Sequence, residues 1–186
     1  MEGEINQAEP ILDALYKAPG GPKKRVLFVI TQSELGGAQQ FLARLLEHLD
    51  TNRFDCSVVV GADGCNALAD LLPPHVSYQI AKHLKRNPSI LDDFLSLFEL
   101  RKIFKEFEPD IIFLNSSKAG FNGSWAASAF PGRLPHSVVI YRIGGWTFND
   151  PHAGWARLFY LLLEKISAPW KDYIIVNNQR DFDLAH

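Results

Sequence analysis

Two adjacent glycines, Gly36 and Gly37, are the first residues of this sequence that could do chemistry. They follow the apolar run 25–31 and precede a stretch with helical periodicity, which predicts a strand, a glycine turn and a helix. Backbone N–H groups at such a turn can approach an anion closely, and the helix dipole is positive there. A phosphate, a diphosphate or a carboxylate would suit the turn. The alternative is that the glycines only permit a tight connection.

A second candidate site consists of Ser116, Ser117 and Lys118, which directly follow the apolar run 110–115. Two hydroxyl groups, one ammonium group and the free N–H groups of a helix start are all suited to an anionic ligand. The alternative is an ordinary serine N-cap beside a solvated lysine.

A third candidate turn follows the run 137–142 and contains two glycines and two aromatic residues. Arg142 could bind a phosphate or a carboxylate, because its planar guanidinium pairs with such groups through two hydrogen bonds. Trp146 or Phe148 could offer an apolar platform to the face of a sugar. The alternative is that both aromatic side chains close the hydrophobic core beneath the loop.

The elements that must position these turns alternate regularly along the chain. Short runs rich in Val, Ile, Phe and Tyr predict strands at about 25–31, 54–61, 76–80, 110–115, 137–142 and 172–177. Helical patterns fall between them, at 38–49, 64–72, 89–107 (with Ser89 as its cap), 118–129 and 153–168. This alternation predicts an α/β fold: a single domain with a doubly wound, Rossmann-like parallel sheet of about six strands.

The winding of such a sheet decides where a ligand binds. In the strand order 3-2-1-4-5, strands one and four are neighbours, and ligands bind beyond their carboxyl ends. Gly36-Gly37 follows predicted strand one, and Ser116-Ser117-Lys118 follows predicted strand four. We therefore expect both turns to line one crevice.

The sequence also divides into a leader and a domain. Residues 1–23 contain a short amphipathic stretch and then Pro19-Gly20-Gly21-Pro22, which breaks any helix. We interpret 1–23 as a flexible leader or a short helix, and 24–186 as the domain.

Composition and missing motifs exclude several classes. A formal net charge of −2 argues against a nucleic-acid-binding protein. Cys56 and Cys65 are too few for a disulfide framework, and the six histidines lack metal-ligand spacing, so we expect no bound metal. The chain has no dinucleotide-binding, P-loop or nucleophile-elbow motif. It also has no apolar run of the roughly 20 residues that a membrane span requires, so a cytoplasmic location is expected.

Four segments, taken together and in order, resemble the amino-terminal domain of family 4 glycosyltransferases of the GT-B fold. They are Leu35-Gly-Gly-Ala-Gln39, Asn115-Ser-Ser-Lys-Ala-Gly120, Gly145-Trp-Thr-Phe148, and the helix 158–166 followed by Asp172-Tyr-Ile-Ile-Val176. The resemblance covers about residues 24–186. It is greatest to members that build bacterial surface polysaccharides on lipid-linked carriers.

This resemblance implies a retaining transfer of a sugar from a nucleotide diphosphate sugar, with no further cofactor. In such enzymes the amino-terminal domain mainly holds the acceptor, and its glycine turn reaches the donor diphosphate. Carried over to this sequence, Gly36 and Gly37 would face the donor phosphates, and Ser116, Ser117 and Lys118 would line the acceptor side. Arg142 and Trp146 are our further candidates for acceptor contact.

Two departures from the family pattern stand out. The family commonly has a His before the Gly-Trp pair, where this sequence has Gly144. The family's second domain supplies most donor contacts, including a Glu-x7-Glu motif that this sequence lacks. We therefore expect an acceptor domain truncated before its donor domain, or one half of a split enzyme. Alone, it should not turn over, and its partner would be the donor domain, in cis or in trans.

A helix at 155–166 carries apolar residues nearly all round, flanked by Arg157, Lys165 and Lys171 and by Trp155 and Trp170. It could rest on an anionic membrane surface near a lipid-linked acceptor, which would make the protein peripheral on the inner face of the membrane. The basic segment 82–86 would suit the same surface. The alternative is a helix packed between the sheet and a second domain.

Two other functions stay open. A degenerate domain could bind a phosphorylated ligand or scaffold a partner without catalysis, as Gly144 favours. A flavodoxin-like or response-regulator-like protein would carry acidic residues at the end of strand one, where this chain has Thr31-Gln32-Ser33.

Overall fold

A six-stranded parallel sheet forms the centre of the molecule in a computed structural model, which describes residues 21–64, 67–128, 132–146 and 154–184. The strands are β1 (Lys24–Gln32), β2 (Phe54–Asp63), β3 (Ser77–Ala81), β4 (Ile111–Leu114), β5 (Val138–Arg142) and β6 (Tyr173–Ile175). Their order across the sheet is β3-β2-β1-β4-β5-β6. The predicted doubly wound α/β fold, with β1 beside β4, is confirmed.

Five α-helices are described in the same part of the chain. They are α1 (Gly37–His48), α2 (Ile90–Phe107), α3 (Ser117–Ser128), α4 (Gly154–Ser167) and α5 (Gln179–Asp183). Ser89 caps α2 as predicted, because its hydroxyl accepts a hydrogen bond from the Asp92 N–H group.

The helix predicted at 64–72 is wrong for the residues described there. Only Ala69–Leu71 forms one turn of 3-10 helix. Leu68 is fully buried and its N–H group donates to the Ser33 carbonyl, 3.0 Å away, so the chain turns inward instead of running as a regular helix. Pro73 then leaves too short a stretch for a longer helix.

Alternation along the strands divides the core between the two faces of the sheet. Val26, Phe28 and Ile30 of β1 face α1, together with Leu42 and Leu46 of that helix. On the other face, Leu27 and Val29 pack with residues of α2, α3 and α4. Both faces are covered, as near-continuous apolar strands require.

The apolar residues of α2 cover more than its inward face. Ile90, Phe94 and Phe98 follow the helical period but are exposed, and Ile90 is 94% accessible. Ser96 instead lies inward with Leu97, Leu100 and Phe104. The Asn122 amide of α3 donates to the Ser96 hydroxyl at 2.7 Å, which satisfies a polar group inside the core.

Several expectations lie outside the described residues: the leader up to residue 20, Cys65, and the platform expected at Phe148. Within the described ranges, no helix combines the length and the apolar content needed to cross a bilayer.

Candidate functional site

The carboxyl ends of β1 and β4 bring the two predicted anion turns to one edge of the sheet. The strands are paired in parallel, with Val29 opposite Leu114. Just beyond this pair, the Thr31 and Ser116 hydroxyl oxygens lie 2.6 Å apart and share a hydrogen bond. The turns that carry Gly36 and Ser116 therefore leave from neighbouring strands, which is where a doubly wound sheet binds its ligands.

The glycine turn leaves the start of α1 without a side-chain cap. Gly36 is the N-cap residue, no side chain accepts from the first N–H groups, and the first turn holds no acidic residue. An added Cβ at Gly37 would meet no atom within 4 Å. The unpaired N–H groups and the positive end of the helix dipole are therefore available to an anion.

Ser116 and Ser117 are both engaged within the protein. The Ser116 hydroxyl accepts from the Ala119 N–H group at 3.2 Å and acts as the N-cap of α3. The Ser117 side chain forms a hydrogen bond with the Tyr141 hydroxyl. The N-cap role of Ser116 is the alternative that the sequence left open, and a ligand at this turn would contact backbone N–H groups of α3.

Lys118 is placed at the expected edge, but its ammonium group already has partners. Its Nζ atom lies 2.6 Å from the Asp93 carboxylate and donates to the Asn87 carbonyl oxygen at 2.8 Å. These contacts tie the start of α3 to the segment that precedes α2. An acceptor phosphate at Lys118 would have to compete with Asp93.

Arg142 ends β5 and is 8% exposed. Its guanidinium lies 3.8 Å above the Phe41 ring of α1 and donates to the Asn177 side-chain oxygen at 3.2 Å. Among the described residues, no carboxylate pairs with it. Burial lowers the pKa of the Arg142 guanidinium from its usual value, yet arginine stays charged in proteins. A buried cation without an acidic partner is suited to an anionic ligand.

Trp146 is placed in the core. Its side chain is 6% exposed and packs on the sheet face that α2, α3 and α4 cover, here called the α2–α4 face. Its Nε1 atom donates to the Asp181 carbonyl oxygen at 2.9 Å. This packing matches the alternative for the aromatic residues of the third turn. Sugar stacking on Trp146 stays a prediction.

Sequence reasoning did not include Asn115 among the site residues. It immediately follows β4, is 2% exposed, and its N–H group continues the sheet by donating to the Val29 carbonyl oxygen. Its side-chain oxygen receives no hydrogen bond from a described residue. The signal in the sequence was its position, as the first polar residue after the strand at the reversal of the sheet.

A buried polar network lies beneath the serine turn. The Tyr141 hydroxyl donates to Glu164 Oε1 at 3.0 Å, and Lys171 Nζ donates to Glu164 Oε2 at 3.0 Å. Burial first, and then the Glu164 charge, raises the pKa of Tyr141 well above its usual value. This network joins α3, β5 and α4 and fixes the position of the serine turn.

No group of three His, Cys, Asp or Glu side chains among the described residues could hold a metal ion. The groups at the carboxyl edge are N–H donors, hydroxyls, a guanidinium and an amide. This arrangement can bind and orient an anionic, hydroxylated ligand.

Solved structures share this fold at low sequence identity. A protein assigned as a UDP-N-acetylglucosamine 2-epimerase from Listeria monocytogenes aligns with a TM-score of 0.63 and 13% identity, over 89% of this chain and 43% of that one. Another UDP-N-acetylglucosamine 2-epimerase aligns with a TM-score of 0.60 and 18% identity, over 87% of this chain and 44% of that one. These alignments establish the Rossmann-like fold alone.

Sequence comparison adds a relative and a family. The chain is 27% identical over 163 residues to the UDP-Gal:alpha-D-GlcNAc-diphosphoundecaprenol alpha-1,3-galactosyltransferase of Escherichia coli. That alignment covers 88% of this chain but 41% of the enzyme, so the chain spans less than half the length of this relative. The model for Glycosyltransferase Family 4 matches residues 35–183, from the glycine turn to α5. Because this match covers most of the chain, the chain belongs to Glycosyltransferase Family 4.

Proposed function

We propose that this chain is the acceptor-binding half of a retaining glycosyltransferase. The enzyme would move a sugar from a nucleotide diphosphate sugar to a lipid-linked glycan. Support comes from family membership and from the name of the E. coli relative, which specifies a UDP-sugar donor and a diphosphoundecaprenol-linked acceptor. The rest of the cleft would come from a donor domain, in cis or in trans.

The observation that carries the proposal is the meeting of anion-binding groups at the carboxyl edge. The start of α1 has unpaired N–H groups, and the buried Arg142 has no carboxylate partner among the described residues. Gly36 and Gly37 would admit the donor diphosphate to the start of α1. The start of α3, at Ser117 and Lys118, would face the acceptor.

The contact with Asp93 restricts the role that we propose for Lys118 to the ligand-bound state. At 2.6 Å from a carboxylate, the ammonium is neutralised in the structure described here. An acceptor diphosphate could displace Asp93, because its two phosphates together carry two negative charges and the carboxylate carries one. Lys118 would then hold the acceptor only when the ligand is present.

A binding experiment tests the anion site. Inorganic diphosphate is titrated into the chain by NMR, and Arg142→Gln should weaken binding by about 1–3 kcal/mol, the range for hydrogen bonds to charged groups. Added salt should reduce this difference, since part of the lost interaction is screened Coulomb attraction. Arg133→Gln is the matched control, because Arg133 pairs with Asp172 on the opposite edge of the sheet. Equal affinities in wild type, Arg142→Gln and Arg133→Gln would contradict the anion site.

A turnover assay tests the half-enzyme part of the proposal. The 186-residue chain, incubated with a UDP-sugar and a diphospholipid-linked sugar, should show no transfer, because in this proposal a donor domain supplies the rest of the cleft and the chain aligns with only 41% of its E. coli relative. Measured transfer by this chain alone would show that it contains a complete active site.

One observation favours a second candidate, a non-catalytic module. Gly144 is exposed, and an added Cβ there would meet no atom within 4 Å, so no side chain stands where the family commonly has histidine. Such a module would bind the same phosphorylated ligand without reaction. It would stay inactive when a matching donor domain is supplied, whereas the half-enzyme would regain transfer.

A membrane surface is the proposed location of the acceptor. The exposed face of α4 is apolar over three turns, through Trp155 (78% exposed), Leu158, Phe159, Leu162 and Ile166. Exposed Arg157 and Lys165 lie on the same helix, and exposed apolar residues at the start of α2 lie in the same helical layer. An apolar helix face with basic neighbours is suited to anionic lipid.

Vesicle sedimentation tests this location. A Leu158→Gln, Leu162→Gln variant should lose binding to vesicles that contain phosphatidylglycerol, because both substitutions place amides on the lipid-facing side. Leu71→Gln is the control, since Leu71 is an exposed leucine that lies between β2 and β3, away from α4. If the wild-type chain stays in the supernatant at low salt, α4 is not a membrane surface.

A further inference from the structure

We propose that Asn115 contacts the ligand directly and recognises one of its hydroxyl groups. Its side-chain oxygen accepts a hydrogen bond from a sugar or nucleotide hydroxyl on a ligand whose phosphate lies at Arg142 and the start of α1. The inference rests on the proposed function, since it uses the same edge of the sheet. It adds a contact that distinguishes a hydroxylated phosphate ester from a bare anion.

The first observation is a buried acceptor without a protein donor. Asn115 is 2% exposed, and its Oδ1 atom receives no hydrogen bond from a described residue. Buried polar atoms in native proteins are nearly always paired, so an unpaired one at a binding edge indicates a role in function.

The orientation of the Asn115 amide is set by its other end. Its Nδ2 atom donates to the Phe113 carbonyl oxygen at 3.3 Å. The reversed amide would place two acceptor oxygens against each other at that point, which is unfavourable. Oδ1 is therefore the unpaired atom, and only a hydrogen-bond donor can satisfy it.

The second observation is the position of Asn115 relative to Arg142. Leu114 pairs with Tyr141 between β4 and β5, so the next residues in register are Asn115 and Arg142. Leu114 and Tyr141, the residues before them, pack on the α2–α4 face, the sheet face that α2, α3 and α4 cover. Because successive side chains of a strand point to opposite faces, Asn115 and Arg142 lie on the face that α1 covers. The Arg142 contact with Phe41 of α1 agrees with this assignment.

A hydrogen-bond acceptor (Asn115 Oδ1) and a cation (Arg142) on the same face of the sheet together define the class of ligand. Arg142 and the N–H groups at the start of α1 attract anionic oxygens, whereas Asn115 Oδ1 repels them and requires a donor. A ligand that satisfies all three has a phosphate with a hydroxyl group nearby. Phosphorylated sugars and nucleotides have this combination.

Access to Asn115 requires the glycine turn to move. Asn115 and Arg142 are both covered, and the turn from Gln32 to Gly36 is held by a hydrogen bond from Gln39 Nε2 to the Gln32 carbonyl oxygen, at 2.9 Å. The Leu68 N–H group also holds this turn, by donating to the Ser33 carbonyl oxygen at 3.0 Å. Each of these neutral hydrogen bonds contributes only about 0.5–1.5 kcal/mol, which ligand binding can overcome. Gly36 and Gly37 can absorb the change in backbone conformation.

The test compares two probes on three variants of the chain. Inorganic diphosphate offers the anion alone, and UDP-galactose offers a diphosphate, esterified at both ends and therefore less charged, together with hydroxyl groups. Asn115→Leu should weaken UDP-galactose binding about tenfold and leave diphosphate binding unchanged, measured by NMR titration. Arg142→Gln should weaken both. Asn122→Ala, at another buried asparagine, should lower the melting temperature without changing either affinity.

Asn115→Leu also separates a binding role from a structural one. Leucine has a similar size and removes an unpaired acceptor, so this variant should melt at the wild-type temperature or higher. Asn115→Ala should lose the same preference for UDP-galactose, so the inference does not depend on one substitution.

The outcomes separate this inference from the proposed function. If diphosphate binds and Asn115→Leu leaves UDP-galactose affinity unchanged, the hydroxyl contact is wrong and the anion site stands. If Asn115→Leu weakens both probes equally, Asn115 only shapes the anion site, and the inference is again wrong. If wild type binds UDP-galactose but not diphosphate, the anion site fails while the effect of Asn115→Leu still decides this contact. A wild-type chain that binds neither probe overturns both.

Discussion

Replacing Glu164 with glutamine should destabilise the protein sharply, because it leaves a buried ammonium group without its counter-ion. The Lys171 side chain has no exposed surface, and its Nζ atom contacts Glu164, the Ser167 hydroxyl and the face of Tyr141. Glu164→Gln keeps the size of the side chain and a carbonyl oxygen, but removes the negative charge. Removing one partner of a buried pair typically costs about 3–5 kcal/mol.

The expected magnitude lies at the lower end of that range. Glu164 is 15% exposed, so water already screens part of its interaction, and Ser167 continues to accept from Lys171 at 2.7 Å. We therefore expect a loss of about 3 kcal/mol in the free energy of unfolding at pH 7. For a protein of this size, that corresponds to roughly 6–12 °C in melting temperature.

The pH dependence identifies the cause of the loss. Burial lowers the pKa of Lys171, and the Glu164 charge partly opposes that effect. Without Glu164 the folded-state pKa falls further below the unfolded value of about 10.4. Between these two pKa values the unfolded chain binds a proton that the folded chain does not, so stability rises with pH. The deficit of Glu164→Gln relative to wild type should therefore shrink between pH 7 and pH 9.5.

The measurement is urea unfolding of wild type, Glu164→Gln and Glu106→Gln, each at pH 7 and at pH 9.5. Glu106→Gln is the matched control, because Glu106 pairs with Lys102 in an exposed i,i+4 salt bridge at 3.7 Å. That variant should lose at most about 0.5 kcal/mol, with little dependence on pH. The reasoning is refuted if Glu164→Gln costs no more than Glu106→Gln, or if its deficit grows as the pH rises.

Two further predictions concern packing and thiol reactivity. Gly120→Ala should destabilise the protein by about 2 kcal/mol or more in urea unfolding, because its Cβ would lie 2.4 Å from a Tyr141 ring carbon. Gly37→Ala is the control: its Cβ has open space, so this variant should change the free energy of unfolding by less than about 1 kcal/mol. Equal costs would contradict the packing around Gly120. Burial, and then the charge of Asp55, raises the pKa of Cys56 to about 11. In a Cys65→Ser variant, which leaves Cys56 as the one thiol, Cys56 in the native protein at pH 8 should therefore react with a disulfide reagent at least about 100-fold more slowly than Cys56 in 8 M urea. Comparable rates would show that Cys56 is accessible in the native state.

The architecture was largely readable from local patterns. Each strand is a short apolar run, such as the one at Val26, and the turns that follow carry Gly, Ser or Asn, so strand positions could be predicted to within a few residues. The order of the strands followed from the general rule for doubly wound sheets, and the structure agrees. The same patterns located α2 and its Ser89 cap, but they left its inward face open, because its apolar residues exceed what one face needs.

The candidate site was predictable in position but not in its pairings. The end of β4 was recognised from the strand before it, and Lys118 was expected there as a free cation. Its partner, Asp93, lies on α2, and no sequence pattern links the two positions. The burial of Trp146 similarly depends on its contact with Asp181 near the end of the chain.

By itself, the sequence determined most of the secondary structure, the edge of the sheet where polar turns collect, and the family resemblance, because these depend on residue type and spacing over short segments. The tertiary structure alone decided which polar groups are already satisfied. It neutralised Lys118, buried Arg142 beside Phe41, and left Asn115 Oδ1 without a donor among the residues that the structure describes. The physical reason is that hydrogen bonds and ion pairs are made between segments far apart in the chain, and whether a side chain remains available to a ligand depends on what those segments place beside it.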